Sequence, residues 1–262
     1  MFFFPISDDN HSSIRPYVSY CIIALCCFIF LWQSTLPENL YKDAIFNFGV
    51  IPAALLGDQP GFINPYITIF TSMFMHGSWM HLLGNMVFLW IFGDNIEDSM
   101  GHKRFLLFYL ICGLLAAFLQ AIIDPASTAP MIGASGAIAG ILGAYLVLHP
   151  KANVNVLLWI IIFITVIKVP AFLVLSAWII LQFFSASFGS GAGVAYYAHI
   201  GGFLAGGLLI YFFKHPNIAL FQPGNSKSFQ SDKFNISAVF NPKKERDFMQ
   251  EFIDIAEKKD KN

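Results

Sequence analysis

The chain has 262 residues, of which 56% are hydrophobic, 16% aromatic and only 12% charged. Soluble domains carry about a quarter charged residues, so this balance excludes an ordinary soluble fold; with several apolar runs near twenty residues it indicates a polytopic membrane protein. A formal net charge of −1, with the charges gathered after residue 214 and in short pieces between apolar runs, leaves no basic surface for nucleic acid.

In chain order, residues 1–16 ("MFFFPISDDNHSSIRP") are too acidic for a transit peptide and too short in their apolar part for a signal peptide, so the first span is expected to be retained. That span is Tyr17–Leu36. Residues 37–79 form a long apolar loop expected to lie partly in the outer leaflet. The second span is Met80–Asp98, the third Phe105–Ile123 and the fourth Ala134–His149. A span takes about 17–25 residues, so the second and fourth are short and suit the inside of a bundle.

Residues 153–169 alternate and are rich in β-branched side chains. They read as an interfacial or extended connection, with a seventh span as the rival. The fifth span then starts at Pro170, which suits a helix N-terminus, and ends near Phe184–Ser187. The sixth is Ala195–Phe213. Residues 214–262 form a polar tail in which Phe248, Phe252 and Ile255 have helical spacing, read as a surface helix or partner site. The expected architecture is all-α: a six-helix membrane bundle over 17–213, flanked by a short N-terminus (1–16) and a tail (214–262). Cys21, Cys26, Cys27 and Cys112 lie inside apolar runs and read as small buried hydrophobes without metal spacing.

Loop charges orient the spans. Arg15, Lys103, Arg104, Lys151, Lys168 and Lys214 fall on one side, whereas 124–133 and 188–194 have no Lys or Arg and 37–79 has only Lys42. Both termini are therefore expected to be cytoplasmic. Compactness and six spans favour a bacterial cytoplasmic (inner) membrane, with a eukaryotic secretory membrane as the alternative.

Polar side chains inside spans are costly and usually face the bundle interior. His81 and Asn85 stand at i and i+4 on the second span, Ser135 opens the fourth, and His199 lies in the sixth; His76 falls just before the second. These three spans enter from the outside. At about 1.5 Å per residue, Ser135, His199, His81 and Asn85 lie within roughly 6–8 Å of one another in depth. Singly, Ser135 reads as a packing residue, and the histidine and asparagine as interhelical hydrogen-bonders. Together at one depth they favour catalysis. Gly136 and Gly140 form a GxxxG on the fourth span and Gly202 and Gly206 another on the sixth, a spacing that lets helices approach closely in lipid. His199 shares the glycine face, so this contact would bring it to Ser135 as base to nucleophile. The Ser135 amide at a helix N-terminus, with Asn85 and His81, would supply oxyanion donors. With no carboxylate at that depth, the pair is a Ser–His dyad.

Four stretches, "HGSWMHLLGN" (76–85), "GDNIEDSMG" (93–101), "GASGAIAG" (133–140) and "AHIGGFLAG" (198–206), resemble the rhomboid intramembrane serine proteases, and the resemblance covers nearly all of 60–213. It implies Ser135 as nucleophile, with Gly133 and Gly136 keeping its surroundings tight. His199 is implied as general base and then acid, and His81, Asn85 and the Ser135 amide as the oxyanion site. Gly93, Glu97 and Gly101 match a structural GxxxExxxG pattern. It implies neither metal nor cofactor. The implied substrates are single-span membrane proteins, cut near the outer interface after a small residue where the helix unwinds easily.

Two positions depart from patterns found in some members. No arginine lies between 37 and 79, so the Trp-Arg pair of the first outer loop is missing and its anchoring is open. Ala139 stands where an aromatic would stack on the histidine, so the imidazole must be held by something else. A second function is a non-catalytic relative that binds and escorts transmembrane helices; such relatives typically lose the serine or histidine. A third, a small transporter or channel, would carry a polar path on through the cytoplasmic half of the bundle and is disfavoured.

Overall fold

The computed structural model describes residues 2–57, 63–160, 163–189, 193–224, 226–229 and 231–232. In lipid an apolar run must satisfy its own backbone, and each of the six expected segments does so as a helix. The order is strand β1 (Phe2–Asp8), α1 (Tyr17–Thr35), three short helices α2 (Glu38–Phe48), α3 (Pro52–Leu56) and α4 (Pro65–Ser72), α5 (Trp79–Met100), α6 (His102–Ile123), α7 (Ser135–Leu148), a hairpin of β2 (Asn153–Ile160) and β3 (Phe163–Pro170), α8 (Ala171–Phe188), α9 (Tyr196–Phe213) and the two-residue strand β4 (Ser231–Asp232).

The protein is a mostly helical, multi-pass membrane bundle. Helices α1, α6, α8 and α9 are each long and apolar enough to cross a membrane. The 14-residue α7 sits at the centre, packed by α5, α6 and α9, and is buried continuously from Ala137 to Tyr145. A helix surrounded by protein need not match the lipid thickness, which is why so short a segment suffices. The tail helix expected near Phe248–Ile255 lies outside the described residues.

The all-α expectation lacks one element. Residues 153–160 and 163–170 pair as antiparallel strands instead of forming a seventh span, and β1 adds to them in an antiparallel sheet of order β1-β2-β3-β4. The alternation that marked the connection as extended has a physical use, since Val154, Val156 and Val169 are buried against the bundle. Pro5 lies on the edge strand, beside a register irregularity between Pro5 and Ser7, the kind of position to which a sheet proline is confined. Two cysteines also depart from expectation: Cys21 is exposed on α1 and Cys27 is half-buried, while Cys26 and Cys112 are buried.

The sheet is tied to the end of the bundle that carries the Lys- and Arg-bearing loops, the end that loop charge assigns to the inside. Asn153 is fully buried; its backbone N–H donates to Asp9 (2.7 Å) and its amide to Asp9 and to the Ser226 carbonyl (3.0 Å each). Asp8 accepts from the Tyr145 hydroxyl and from Asn95 (2.9 Å). Burial pushes the Asp8 carboxyl up from 3.8 to about 8, with Asp94 and Asp9 adding to the rise and the Tyr145 hydrogen bond opposing it. A carboxyl whose pKa is higher folded than unfolded stabilises fully below about pH 4, and that contribution is lost as pH climbs through about 8. Backbone hydrogen-exchange protection of β1 is therefore expected to fall between pH 4 and 8. Asp8→Asn should abolish that dependence; an unchanged pH profile in the variant would refute it.

At the same end Glu97, fully buried, accepts from the backbone N–H groups of Val18 and Ser19 (2.9 Å each) and from the Ser19 hydroxyl (2.8 Å). It also meets His102 Nδ1 at 2.5 Å. A carboxylate from α5 thus serves the free donors of the α1 N-terminus, which has no cap of its own. Gly93 gives it room, since a methyl there would lie 3.0 Å from Ser19 Oγ, and Gly101 turns the chain into α6 at φ +79°. These three residues hold the inner ends of α1, α5 and α6 together.

At the outer end, α2, α3 and α4 occupy the loop expected to lie partly in the leaflet. Without a Trp-Arg pair, the loop is anchored largely through backbone groups. Val50 and Met131 exchange two hydrogen bonds (3.0 and 2.7 Å), Ala53 N–H donates to Ser127, and Thr71 donates to the Phe48 carbonyl (2.7 Å). The segment that leads into Ser135 is therefore clamped to the outer loop.

Candidate active site

Ser135 is the first residue of α7 and follows a cap, Ala134, that offers no side-chain acceptor. Its hydroxyl is left free for another partner, and its own N–H belongs to the first turn, where no intrahelical acceptor exists. Gly133 prepares this start with φ +126°, its N–H bound to the Ser72 carbonyl of α4 at 2.9 Å. A methyl on Gly133 would lie 2.6 Å from His81 Nε2, so only glycine lets His81 approach here.

His199 lies in the first turn of α9. The Gly202 and Gly206 faces rest directly on the α7 backbone, and a methyl on either would fall 1.9 Å from the carbonyl oxygen of Gly136 or Gly140. This backbone-on-backbone contact brings His199 Nε2 to 2.8 Å from Ser135 Oγ. The other ring nitrogen, Nδ1, lies 2.8 Å from Gln182 Oε1 on α8. Trp178, one turn earlier on α8, lies tilted against the imidazole at 5.8 Å, and Tyr196 meets it edge-on at 6.4 Å. The support expected from something other than residue 139 thus comes from α8 and from α9 itself. Ala139 is fully buried, its methyl facing Gly202 across the α7–α9 contact, where an aromatic ring has no room.

His81 and Asn85 stand on adjacent turns of α5, on one face. Ser78 caps that helix by accepting from the His81 N–H at 3.2 Å, which fixes His81 in the first turn. His81 Nδ1 accepts from Gly77 N–H at 3.5 Å, leaving Nε2 as the protonated nitrogen beside Gly133. Asn85 is buried, and its Nδ2 donor has no hydrogen-bond partner among the described residues. A buried unpaired donor is costly, so Asn85 Nδ2 is left available to an acceptor that enters the cleft. His76, also buried, packs edge-on against His81 at 5.1 Å.

Ser135, His199, His81 and Asn85 all open onto one cleft of about 680 Å³ at the outer end, with Trp178 and Met80 among its walls. The four residues singled out in the sequence are therefore brought together. What the sequence reading passed over is a set of glutamines: Gln182, and Gln120 of α6, whose Oε1 accepts from Ala198 N–H at 3.3 Å at the α9 start. Gln33 of α1 is fully buried and exchanges two 3.2 Å hydrogen bonds with the His76 backbone. The cost of burying an amide in a span was the signal that could have found them. Among the described residues no three His, Cys, Asp or Glu side chains cluster as metal ligands do.

Comparison with known proteins bears on this arrangement. The rhomboid domain model matches residues 64–216, more than half of the chain. The chain belongs to the rhomboid family. Similar proteins include the mitochondrial rhomboid protein 1 of Saccharomyces cerevisiae, 31% identical over 56% of this chain and 42% of the relative. The human presenilin-associated rhomboid-like protein, mitochondrial, is 30% identical over 57% of this chain and 36% of its own. The rhomboid protease GluP of Bacillus subtilis is 30% identical over 50% of this chain and 24% of its own. The matched stretches thus span less than half the length of each of these relatives. The matched 64–216 segment of this rhomboid runs from α4 through α9, so it contains every residue of the candidate site.

Proposed function

We propose that the protein is an intramembrane serine endopeptidase that cuts single-span membrane proteins in or near their transmembrane segment. The observation that carries this is the 2.8 Å approach of His199 Nε2 to Ser135 Oγ at the floor of a cleft lined by free donors. His199 takes the hydroxyl proton as Ser135 Oγ attacks the scissile carbonyl, giving a tetrahedral oxyanion. Nε2 then returns that proton to the leaving amine, which departs and leaves an acyl-enzyme on Ser135. Water attacks the ester, its proton passes to Nε2, and collapse of the second oxyanion releases the new carboxyl terminus and restores Ser135.

The oxyanion would be held by the Ser135 N–H, Asn85 Nδ2 and His81 Nε2. None of the three donates to an acceptor among the described residues. On the far side of Ser135 a cavity of about 50 Å³ reaches between Met73, Gly113 and Ala116, which suits a small side chain next to the cleaved bond. Both termini are proposed on the side with the basic loops. The mitochondrial relatives argue against a bacterial cytoplasmic membrane and the Bacillus subtilis protease argues for it, so the proposal is a multi-pass membrane location with its orientation set by loop charge.

Asn85 separates catalysis from structure. Asn85→Ala is expected to lower kcat by about a hundredfold, the usual loss for one oxyanion donor, with little change in KM. Its thermal unfolding in detergent should be unchanged, because Nδ2 gives up no hydrogen bond within the described chain. The general test is incubation of the reconstituted protein with a single-span reporter, together with fluorophosphonate labelling. Cleavage and adduct formation at Ser135 are expected; an intact reporter and an unlabelled Ser135 would sink the proposal.

A further inference from the structure

We propose that Gln182 is a positioning residue for His199. Its carbonyl oxygen selects the Nδ1–H tautomer and stabilises the imidazolium formed during the reaction. The inference rests on the reading of Ser135 and His199 as nucleophile and base, and it fills the place left by a dyad without a carboxylate.

The argument is one of hydrogen-bond direction. A neutral imidazole has one donor and one acceptor nitrogen, and only the tautomer with an unprotonated Nε2 can accept the Ser135 proton. Gln182 Oε1, 2.8 Å from Nδ1, is an acceptor and requires the proton to be on Nδ1. The Gln182 amide could in principle be turned end for end, but its Nε2 faces the Trp178 carbonyl at 3.4 Å, an acceptor that suits only the amino end. The chain of donors therefore runs one way: Ser135 Oγ–H to His199 Nε2, His199 Nδ1–H to Gln182 Oε1, and Gln182 Nε2–H to Trp178 O. When His199 takes the second proton, the bond to Gln182 becomes charge-assisted and strengthens, which is a gain made only after the ground state.

Packing alone gives Gln182 no comparable reason to be there. The buried residues of α8, Ala171, Val174 and Leu175, all lie in its first two turns, and Leu181, Phe183 and Phe184 beside Gln182 are exposed apolar side chains of the kind lipid accepts. A leucine or methionine at 182 would suit that surrounding better than an amide. The amide is placed where it is of use to His199.

The test compares Gln182→Met, which keeps length and removes the acceptor, with Gln182→Glu, which keeps an acceptor oxygen. Full-length protein is reconstituted with a single-span reporter, and kcat and KM are measured separately. For Gln182→Met, kcat is expected to fall about ten- to a hundredfold, the worth of one hydrogen bond to a charged imidazole, with KM within about twofold. Gln182→Glu should stay within about fivefold of wild type on the same scale. A merely structural role predicts a different pattern, in which thermal stability falls and both variants lose activity together. Wild-type kcat in Gln182→Met, or equal losses in both variants, overturns the inference. Should Gln182→Met fail to fold, the ¹⁵N resonances of His199 in wild type decide: a proton on Nδ1 is expected, and one on Nε2 overturns it. A wild-type protein that neither cleaves nor labels at Ser135 refutes the underlying reading instead.

Discussion

Ser135→Ala and His199→Ala are each expected to lower reporter cleavage by about 10⁴-fold or more, and the double variant is expected to be no worse than either. The non-additivity is the informative part. With Nε2 2.8 Å from Oγ, the two side chains share one proton, so removing either leaves the other with nothing to do. Independent contributions would instead multiply. Stability should hardly move, because Ser135→Ala gives up one hydrogen bond worth about 0.5–1.5 kcal/mol. The fluorophosphonate adduct at Ser135 should vanish in His199→Ala, since an unactivated hydroxyl is a poor nucleophile. Cleavage at the wild-type rate by either single variant would refute the pair. A protein that binds single-span helices and never cleaves them would instead support the escort reading, which predicts binding untouched by both substitutions.

The placement of this pair is legible in the sequence because lipid makes polar residues conspicuous. Ser135, His199, His81 and Asn85 stood out in apolar runs, and the glycine spacing on two spans told which helices meet. The structure puts Gly202 and Gly206 on Gly136 and Gly140, as that spacing suggested. The glutamines were passed over for a different reason. The conspicuous residues lie on the three spans that enter from outside, whereas Gln33, Gln120 and Gln182 stand near the outer ends of the three that leave. Each serves the site from behind: Gln33 holds the His76 backbone, Gln120 the start of α9, and Gln182 the imidazole. An inventory by depth on all six spans would have included them.

Strand β1 was beyond the sequence for another reason. "FFFPISD" carries a proline and no clean alternation, and what makes it a strand is a partner more than 140 residues away, in the pairing of Pro5 with Val156. Non-local pairing of that kind leaves no periodic trace in the segment itself. The outer-loop helices were hidden likewise, because their anchors are backbone groups at Ser127 and Met131.

Gly206→Ala is expected to be the most damaging added methyl among the described glycines, and Gly207→Ala, one residue on, to be nearly silent. A methyl on Gly206 would sit 1.9 Å from the Gly140 carbonyl oxygen, 2.4 Å from its carbon and 2.5 Å from its Cα. All three are backbone atoms of a fully packed helix, with no side chain to swing aside, so α7 and α9 must separate. A shift of about 1 Å at a reacting pair costs roughly a hundredfold in rate, and overpacking a tight contact costs about 1–3 kcal/mol of stability. The same helix supplies the control. A methyl on Gly207 would find its nearest neighbour, the Gly143 oxygen, at 3.6 Å, an ordinary contact, and alanine is the better helix former by about 1 kcal/mol. Gly206→Ala should therefore lose both thermal stability in detergent and adduct formation at Ser135, while Gly207→Ala keeps both. Wild-type labelling in Gly206→Ala would mean that the α7–α9 contact does not set the distance between Ser135 and His199.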